Sequence, residues 1–324
     1  MMMGNFIPQA NEWGKTRTPF FFLIDFEQQK PLILKMDEAQ TSGLFFDFFC
    51  KPDIVAERVN KPFEFAIQPL PFEKYQQKFN YVKNHIQNGN SYLLNLTCAT
   101  KIQMNYSLED IFKNTTAKYK CYLKDQFVCF SPECFIRIKK NKIYAYPMKG
   151  TINANEDDAK QKLMNSEKEL TEHNTIVDLI RNDLALVSSN IQVTKYRYLE
   201  KIETHKGSIY QTSSEICGEL AEHWQDNIGT ILVKLLPAGS ISGAPKLKTV
   251  EIIKQSEQEE RGYYTGIFGY FDGENVESAV AIRYIEKKQD QYLFRSGGGI
   301  TILSNINEEY NEILEKVYVP ISSF

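Results

Sequence analysis

Five side chains in this sequence are spaced as chemistry requires. Lys149 stands alone in IYAYPMKGT, and Glu169 and Glu172 follow in SEKELTEHNTIVDLIRND. A second pair, Glu309 and Glu312, lies near the C-terminus in SNINEEYNEILEKVY. Residues three apart share a helix face, so each pair presents two carboxylates side by side. One such pair is ordinarily a solvated surface. Two pairs meeting in one cleft need a cation to offset their repulsion, and a few carboxylates supplemented by water favour Mg2+ over a Ca2+ cage. The lysine is a different instrument: its amine attacks at neutral pH only when burial or neighbouring cations bring it below the free value of about 10.4.

The elements that must hold these groups show as patterns. Leu163, Leu170, Val177 and Leu184 recur every seventh residue with Ile180 between them, the stripe of one amphipathic helix. Tyr310, Ile313, Leu314 and Val317 make the apolar face of another. Upstream, residues 134–138 and 142–146 flank Lys-Lys-Asn and predict a hairpin whose opposite residues have numbers summing to 281 or 282. Glu133 and Lys149 sum to 282. A ladder running to its ends would set their Cβ atoms about 5 Å apart, with a carboxylate facing an amine. Exposed, the two would form a weak cross-strand ion pair; buried, they would place an acid beside a nucleophile.

The remaining chain supplies scaffold and smaller signals. Residues 19–26 and 31–36 read as a hairpin, and 72–88 as a helix ending at Gly89. A helix over 105–118 has Ser107 as its N-cap. Strands are expected over 126–130, 191–198 and 209–220, and a helix over 227–236. In PAGSISGAPK, Gly239 and Gly243 allow tight turns, and Pro245 fits the first turn of a helix whose amides would point at an anion. The Gly-Lys-Ser/Thr ending of a Walker A loop is absent. TGIFGYF, SAVAIRYIE and QYLFRS read as three strands. Ala279, Ala281 and Arg283 share a face of the middle one, which leaves room for a carboxylate that the guanidinium can grip with two bonds. At Gly297, Gly298 and Gly299 backbone can approach a ligand closely.

The 324 residues can bury a large core, and the net charge of -3 comes with no basic run, which argues against nucleic-acid binding. No apolar stretch reaches membrane-spanning length, residues 1–13 lack the features of a signal peptide, and the six cysteines show no metal-finger spacing. A cytoplasmic protein is expected.

Taken together, SPECF with Glu133, PMKGT with Lys149, SEKELTEHNTIVDLIRNDL, AGSISGAPK, RGYYTGIFGY, AIRY and SGGGI followed by EEYNE resemble the chorismate-utilising enzymes. That family contains component I of the anthranilate and aminodeoxychorismate synthases and the isochorismate and salicylate synthases. The resemblance spans about residues 72–319 and implies an α+β fold, two stacked antiparallel sheets with helices packed outside. Residues 1–71 would be a shortened β-rich part of the same globule, and 72–324 the chorismate-binding domain. By position, Glu172 and Glu312 resemble direct Mg2+ ligands, and Glu169 and Glu309 groups acting through water. Gly297, Gly298 and Gly299 would meet the ring carboxylate, Tyr264 and Arg283 the pyruvyl carboxylate, with Ser240 and Gly243 near the substrate.

PMKGT is similar to the aminodeoxychorismate branch, where anthranilate enzymes usually carry PIAGT. Lys149 is then the nucleophile and Glu133 its acid and base. The lysine that activates water in isochorismate synthases falls on Leu93. The implied reaction aminates chorismate at C4, toward 4-aminobenzoate and folate. The alternatives are an anthranilate synthase component I and a non-catalytic chorismate-binding subunit. No glutaminase signature is present, so ammonia would come from a glutamine amidotransferase subunit or from free ammonium. A family histidine is replaced by Gln211, leaving His205 or a water as substitutes.

Overall fold

A computed structural model describes residues 2–49, 61–204 and 207–321. The first half of the chain forms α1 (Met3–Lys15), β1 (Phe20–Ile24), β2 (Leu32–Lys35), β3 (Leu44–Phe48), β4 (Phe65–Gln68), α2 (Phe72–Gln87), β5 (Leu93–Met104), α3 (Leu108–Asn114), β6 (Tyr119–Leu123), β7 (Phe127–Ser131), β8 (Cys134–Lys139), β9 (Lys142–Ala145) and β10 (Met148–Asn153). The second half forms α4 (Ala159–Asn165), α5 (Glu167–Ala185), β11 (Ser189–Thr204), β12 (Gly207–Glu219), α6 (Ile228–Lys234), β13 (Gly243–Ala244), α7 (Lys246–Glu257), β14 (Ile267–Phe271), β15 (Val276–Val280), β16 (Tyr284–Lys288), β17 (Gln291–Thr301) and α8 (Ile306–Glu315).

The strands make two antiparallel sheets. One runs β10-β12-β9-β8-β15-β14-β1-β2 with β11 also on β12; the other runs β13-β5-β17-β16-β7-β6-β3 with β4 also on β5. The expected α+β architecture is present. Alternation along β1 shows how the layers stack. Phe21 and Leu23 pack with Phe48, Tyr119, Phe127 and Phe268 between the sheets, whereas Phe20, Phe22 and Ile24 join Phe6, Ala10 and Trp224 on the helical side. A strand buried on both faces has no polar face to show, which is why PFFFLIDF lacks alternation. The five described cysteines are buried free thiols. Among the described residues no helix is long and apolar enough to cross a membrane.

Several expectations need correction. Residues 3–15 form a helix that periodicity alone did not single out. The stripe from Leu163 to Leu184 belongs to two helices, because Ser166 ends α4 and its hydroxyl caps α5 by accepting the Glu169 amide at 3.3 Å. Leu170 is consequently 36% exposed rather than core. The helix expected over 105–118 is shorter: Ser107 caps it in a capping box with Asp110, and it stops before the β-branched Thr115.

SAVAIRYIE is not one strand. β15 pairs with β14 in the first sheet and β16 with β17 in the second. The chain crosses between sheets at 281–283, with Arg283 in the left-handed region at φ 54°. Two apolar strands joined without a turn residue read as a single run.

The β8–β9 register matches the expected sum of 281, pairing Ile138 with Ile143 and Arg137 with Tyr144. The ladder stops there. β9 and β10 then follow one edge of β12, pairing Ala145 with Ile216 and Lys149 with Thr212. Glu133 and Lys149 are thus not ladder partners.

Gly243 joins β13 to β5 at φ 137°, and a Cβ there would lie 1.9 Å from the Leu93 carbonyl oxygen. Gly243→Ala is expected to cost about 3 kcal/mol or more, through backbone strain and displacement of β5. Urea denaturation checks this.

Candidate active site

Lys149 is aimed by a β-bulge. The register of β10 on β12 shifts between Lys149 and Thr151, with Gly150 at φ 79°. Such a bulge re-directs a side chain. The Thr212 hydroxyl donates to the Lys149 carbonyl and holds the bulge in place. The side chain, 21% exposed, crosses to the second sheet. A Cβ built on Gly299 would lie 3.1 Å from Lys149 Nζ and 3.2 Å from Leu93 Cδ1, so amine and leucine flank the same backbone position. Nζ is also 3.8 Å from Glu172 Oε2.

Glu133 sits where the first sheet opens. The Ser240 hydroxyl donates to its Oε1. Burial raises the carboxyl above its usual 4.5, against the opposing pull of the Ser240 bond and of Lys149, Arg283 and Lys316. The group therefore keeps a proton at a pH where an exposed carboxylate would not. A chamber of about 30 Å³ lies behind it, with Ser240, Tyr146 and Asp183 in its wall.

The two carboxylate pairs come from two helices and lie beside different glycines. Glu169 Oε2 would be 2.7 Å from a Cβ on Gly150, beside Lys149. From α8, Glu309 Oε2 and Glu312 Oε1 would be 3.3 and 3.8 Å from a Cβ on Gly298. Glu309 is buried. The α5 pair thus adjoins Lys149, and the α8 pair adjoins the glycine next to the one that Lys149 touches. Among the described residues no three His, Cys, Asp or Glu side chains are gathered as they would be around an ion. Lysine ammonium groups stand beside two of the glutamates: Lys149 beside Glu172, and Lys316 at 2.6 Å from Glu312. The donors, all carboxylate oxygens, have the chemistry that a hard divalent cation takes.

Around them are groups suited to anions. β16 accompanies β17 only as far as Tyr284 opposite Arg295, so Gly297, Gly298 and Gly299 have β5 on one edge and no named strand on the other. On that side the Gly297 carbonyl accepts from Lys316 Nζ at 2.8 Å. Arg283 has a buried Nε without a hydrogen-bond partner and lies 5.7 Å over the Tyr318 ring. Tyr264 is buried, and burial pushes its phenol up. A cleft of about 790 Å³, lined by Glu172, Leu93, Thr171, Thr175 and Thr301, leads in from solvent. Gly243 packs on β5.

Gln211 donates to Met148 Sδ at 3.0 Å, one residue from Lys149. His205 lies outside the described residues. Another histidine is near: His173 Nε2 is 2.7 Å from the Ser214 hydroxyl, and burial, with Arg197 and Lys149, lowers its pKa to about 4.

Sequence reasoning passed over Lys316 and Arg261. Lys316 follows Glu309 and Glu312 at helical spacing on one face, a signal that was available. Burial lowers its ammonium below the ordinary lysine value, and Glu312 opposes that effect. Arg261, fully buried, pairs with Glu257 at 2.7 Å and donates to the carbonyls of Ile241 and Asn95. It stands four residues after Glu257, but beyond the end of α7.

A profile of the chorismate binding enzyme family matches residues 20–322. The chain belongs to that family. The match begins at β1 and so takes in more than the motifs from residue 72 onward. A PabA-like protein of Haemophilus influenzae is 58% identical over 319 residues, 98% of this chain and 97% of its own. Aminodeoxychorismate synthase component 1 of Bacillus subtilis is 30% identical over 281 residues, 82% of this chain; the match spans 58% of the relative's length. The crystal structure of anthranilate synthase component I from Streptococcus pneumoniae has a TM-score of 0.67 at 28% identity, covering 80% of this chain and 60% of that one.

In this chorismate-binding enzyme the raised Glu133 has a consequence for stability. Above 4.5 the unfolded chain releases the proton while the folded one still holds it, so the native state binds more protons and stability falls as pH rises through that window. Glu133→Gln removes the effect. The variant is expected to gain stability over the wild type in urea denaturation as pH rises above 4.5, with the difference vanishing at lower pH.

Proposed function

We propose that the enzyme aminates chorismate at C4, giving 4-amino-4-deoxychorismate for 4-aminobenzoate and folate synthesis in the cytoplasm. The observation that carries this reading is the pair flanking Gly299: a lysine amine from β10 on one side and, at the position of a water-activating lysine, the apolar Leu93 on the other. The first offers a nitrogen nucleophile, and the second cannot activate water.

The Lys149 amine, in its neutral form, adds at ring C2. The two ring double bonds shift and the C4–O bond breaks, the hydroxyl leaving as water with the proton that Glu133 carries. The proton from the added amine returns to Glu133. Ammonia then adds at C4, the double bonds shift back, and the C2–N bond to Lys149 breaks as its nitrogen takes the proton held by Glu133, which in turn accepts the proton lost by the added ammonia. Ser240, bonded to Glu133 Oε1, keeps that carboxyl oriented through both steps.

Arg283, Lys316 and Tyr264 would hold the pyruvyl carboxylate, and the open edge at Gly297, Gly298 and Gly299 the ring carboxylate. Mg2+, held by Glu172 and Glu312 with Glu169 and Glu309 behind them, would neutralise the ring carboxylate and fix the ring. Ammonia would come from a glutamine amidotransferase subunit. The 30% identity to aminodeoxychorismate synthase component 1 supports chorismate amination in general.

Anthranilate synthesis, with ammonia retained at C2, is the second reading, favoured by the likeness to anthranilate synthase component I. Incubation with chorismate, Mg2+ and ammonium, followed by chromatography of the products, separates the two. Aminodeoxychorismate is expected; anthranilate in its place would overturn the assignment.

Lys149→Ala is expected to slow amination at C4 by about a hundredfold or more, and unchanged turnover would remove the lysine from the mechanism. Glu172→Gln and Glu312→Gln should each weaken Mg2+ binding about tenfold to a hundredfold in calorimetry.

A further inference from the structure

The α8 carboxylates are joined to the glycine strand by a very short connection. β17 ends at Thr301 and α8 begins at Ile306. Two of the side chains between them, Ile302 and Leu303, are 53% and 66% exposed, so apolar packing does little to hold this turn. Its internal bonds are Thr301 N to Ser304 Oγ at 3.1 Å, Leu303 N to Thr301 Oγ1 at 3.2 Å and Ser304 N to the Thr301 carbonyl at 3.3 Å. The tie to the rest of the protein comes from α2. Lys83 Nζ donates to the carbonyls of Thr301, Ile302 and Ser304 at 3.2, 2.7 and 2.9 Å. An ammonium has three donors, and here all three are used. The stem lies beside Phe79, whose ring centre is 5.9 Å from Nζ.

We propose that Lys83 is a positioning residue for the carboxylates of α8: its ammonium, seated in three carbonyls, fixes the turn that sets Glu309 and Glu312 against Gly298. The inference rests on reading those glutamates as part of the Mg2+ site. Lysine suits this seat where arginine does not, because three carbonyls converging on a point match a compact ammonium and not a planar fork.

Lys83→Met keeps the stem over Phe79 and empties the seat. Hydrogen exchange is expected to rise about tenfold at the amides of 302–309, with α7 and the strands of the first sheet unchanged. Calorimetry should show Mg2+ binding weakened about tenfold. Added K+ or NH4+, which can occupy the carbonyl seat, should restore both readouts, and Li+ should not; a role in stability alone would not respond to the size of a monovalent ion.

Unchanged exchange at 302–309, or a rise spread evenly over the whole protein, overturns the proposal. If Lys83→Met does not fold, Lys83→Gln, which keeps one amide donor group, must show a smaller rise confined to 302–309, and its absence counts against the idea. A wild type that binds no Mg2+ would overturn the reading of the metal site, while exchange at 302–309 would still decide the role of Lys83.

Discussion

Three consecutive glycines in the middle of a sheet make the rest of the site possible. At Gly298 the glutamates of α8 come within 3.3 and 3.8 Å of where a Cβ would stand, and at Gly299 the amine of Lys149 comes within 3.1 Å. Any side chain at either position would separate the Lys149 amine or the carboxylates from the backbone. The same run is unpaired with β16, so its outer edge is available to a ligand while β5 holds the inner one. Glycine usually weakens a strand; here β5 compensates by pairing along the full length from Tyr292 to Thr301.

The carboxylates and cations around that strand balance one another closely. Lys149 faces Glu172 and Lys316 faces Glu312. Beneath them, Arg261 and Glu257 form a fully buried pair whose remaining donors and acceptors are used: Glu257 accepts the Thr97 amide, and Arg261 reaches Ile241 and Asn95. A buried pair of this kind is weak as a source of stability, but removing one partner leaves an uncompensated charge. What it secures is geometry, because Asn95 is opposite Gly299 in the ladder and Ile241 is next to Ser240. A second link, Lys246 to Asp183 at 2.7 Å, ties the AGSISGAPK segment to the end of α5.

Much of this was legible in the chain. The carboxylate pairs, the hairpin register of 281 and the cap at Ser107 follow from local rules, and the structure keeps all three. What local rules missed has a common cause. The break at Ser166 is a choice between continuing a helix and capping the next one, and the heptad of leucines pointed the wrong way. The crossing at Arg283 joins two strands of different sheets, which only the third dimension separates. Lys83 and Arg261 act on carbonyls, and backbone acceptors leave no trace in a sequence. The expectation that Glu133 and Lys149 face each other across a ladder fails because the ladder ends at Arg137 and Tyr144 and Lys149 pairs with Thr212 instead.

The position of β1 bears on how the protein is made. Phe20–Ile24 lies inside the first sheet between β2 and β14, buried on both faces, and β14 is formed by residues near the other end of the chain. During synthesis an apolar strand with one free edge must wait for a neighbour that emerges much later. Pairing across such a separation is slow because the intervening loop has to close first. An exposed, aromatic strand edge is also a template for association between chains. Yield in the cell should therefore depend on chaperone capacity and growth temperature more than on the stability of the finished fold.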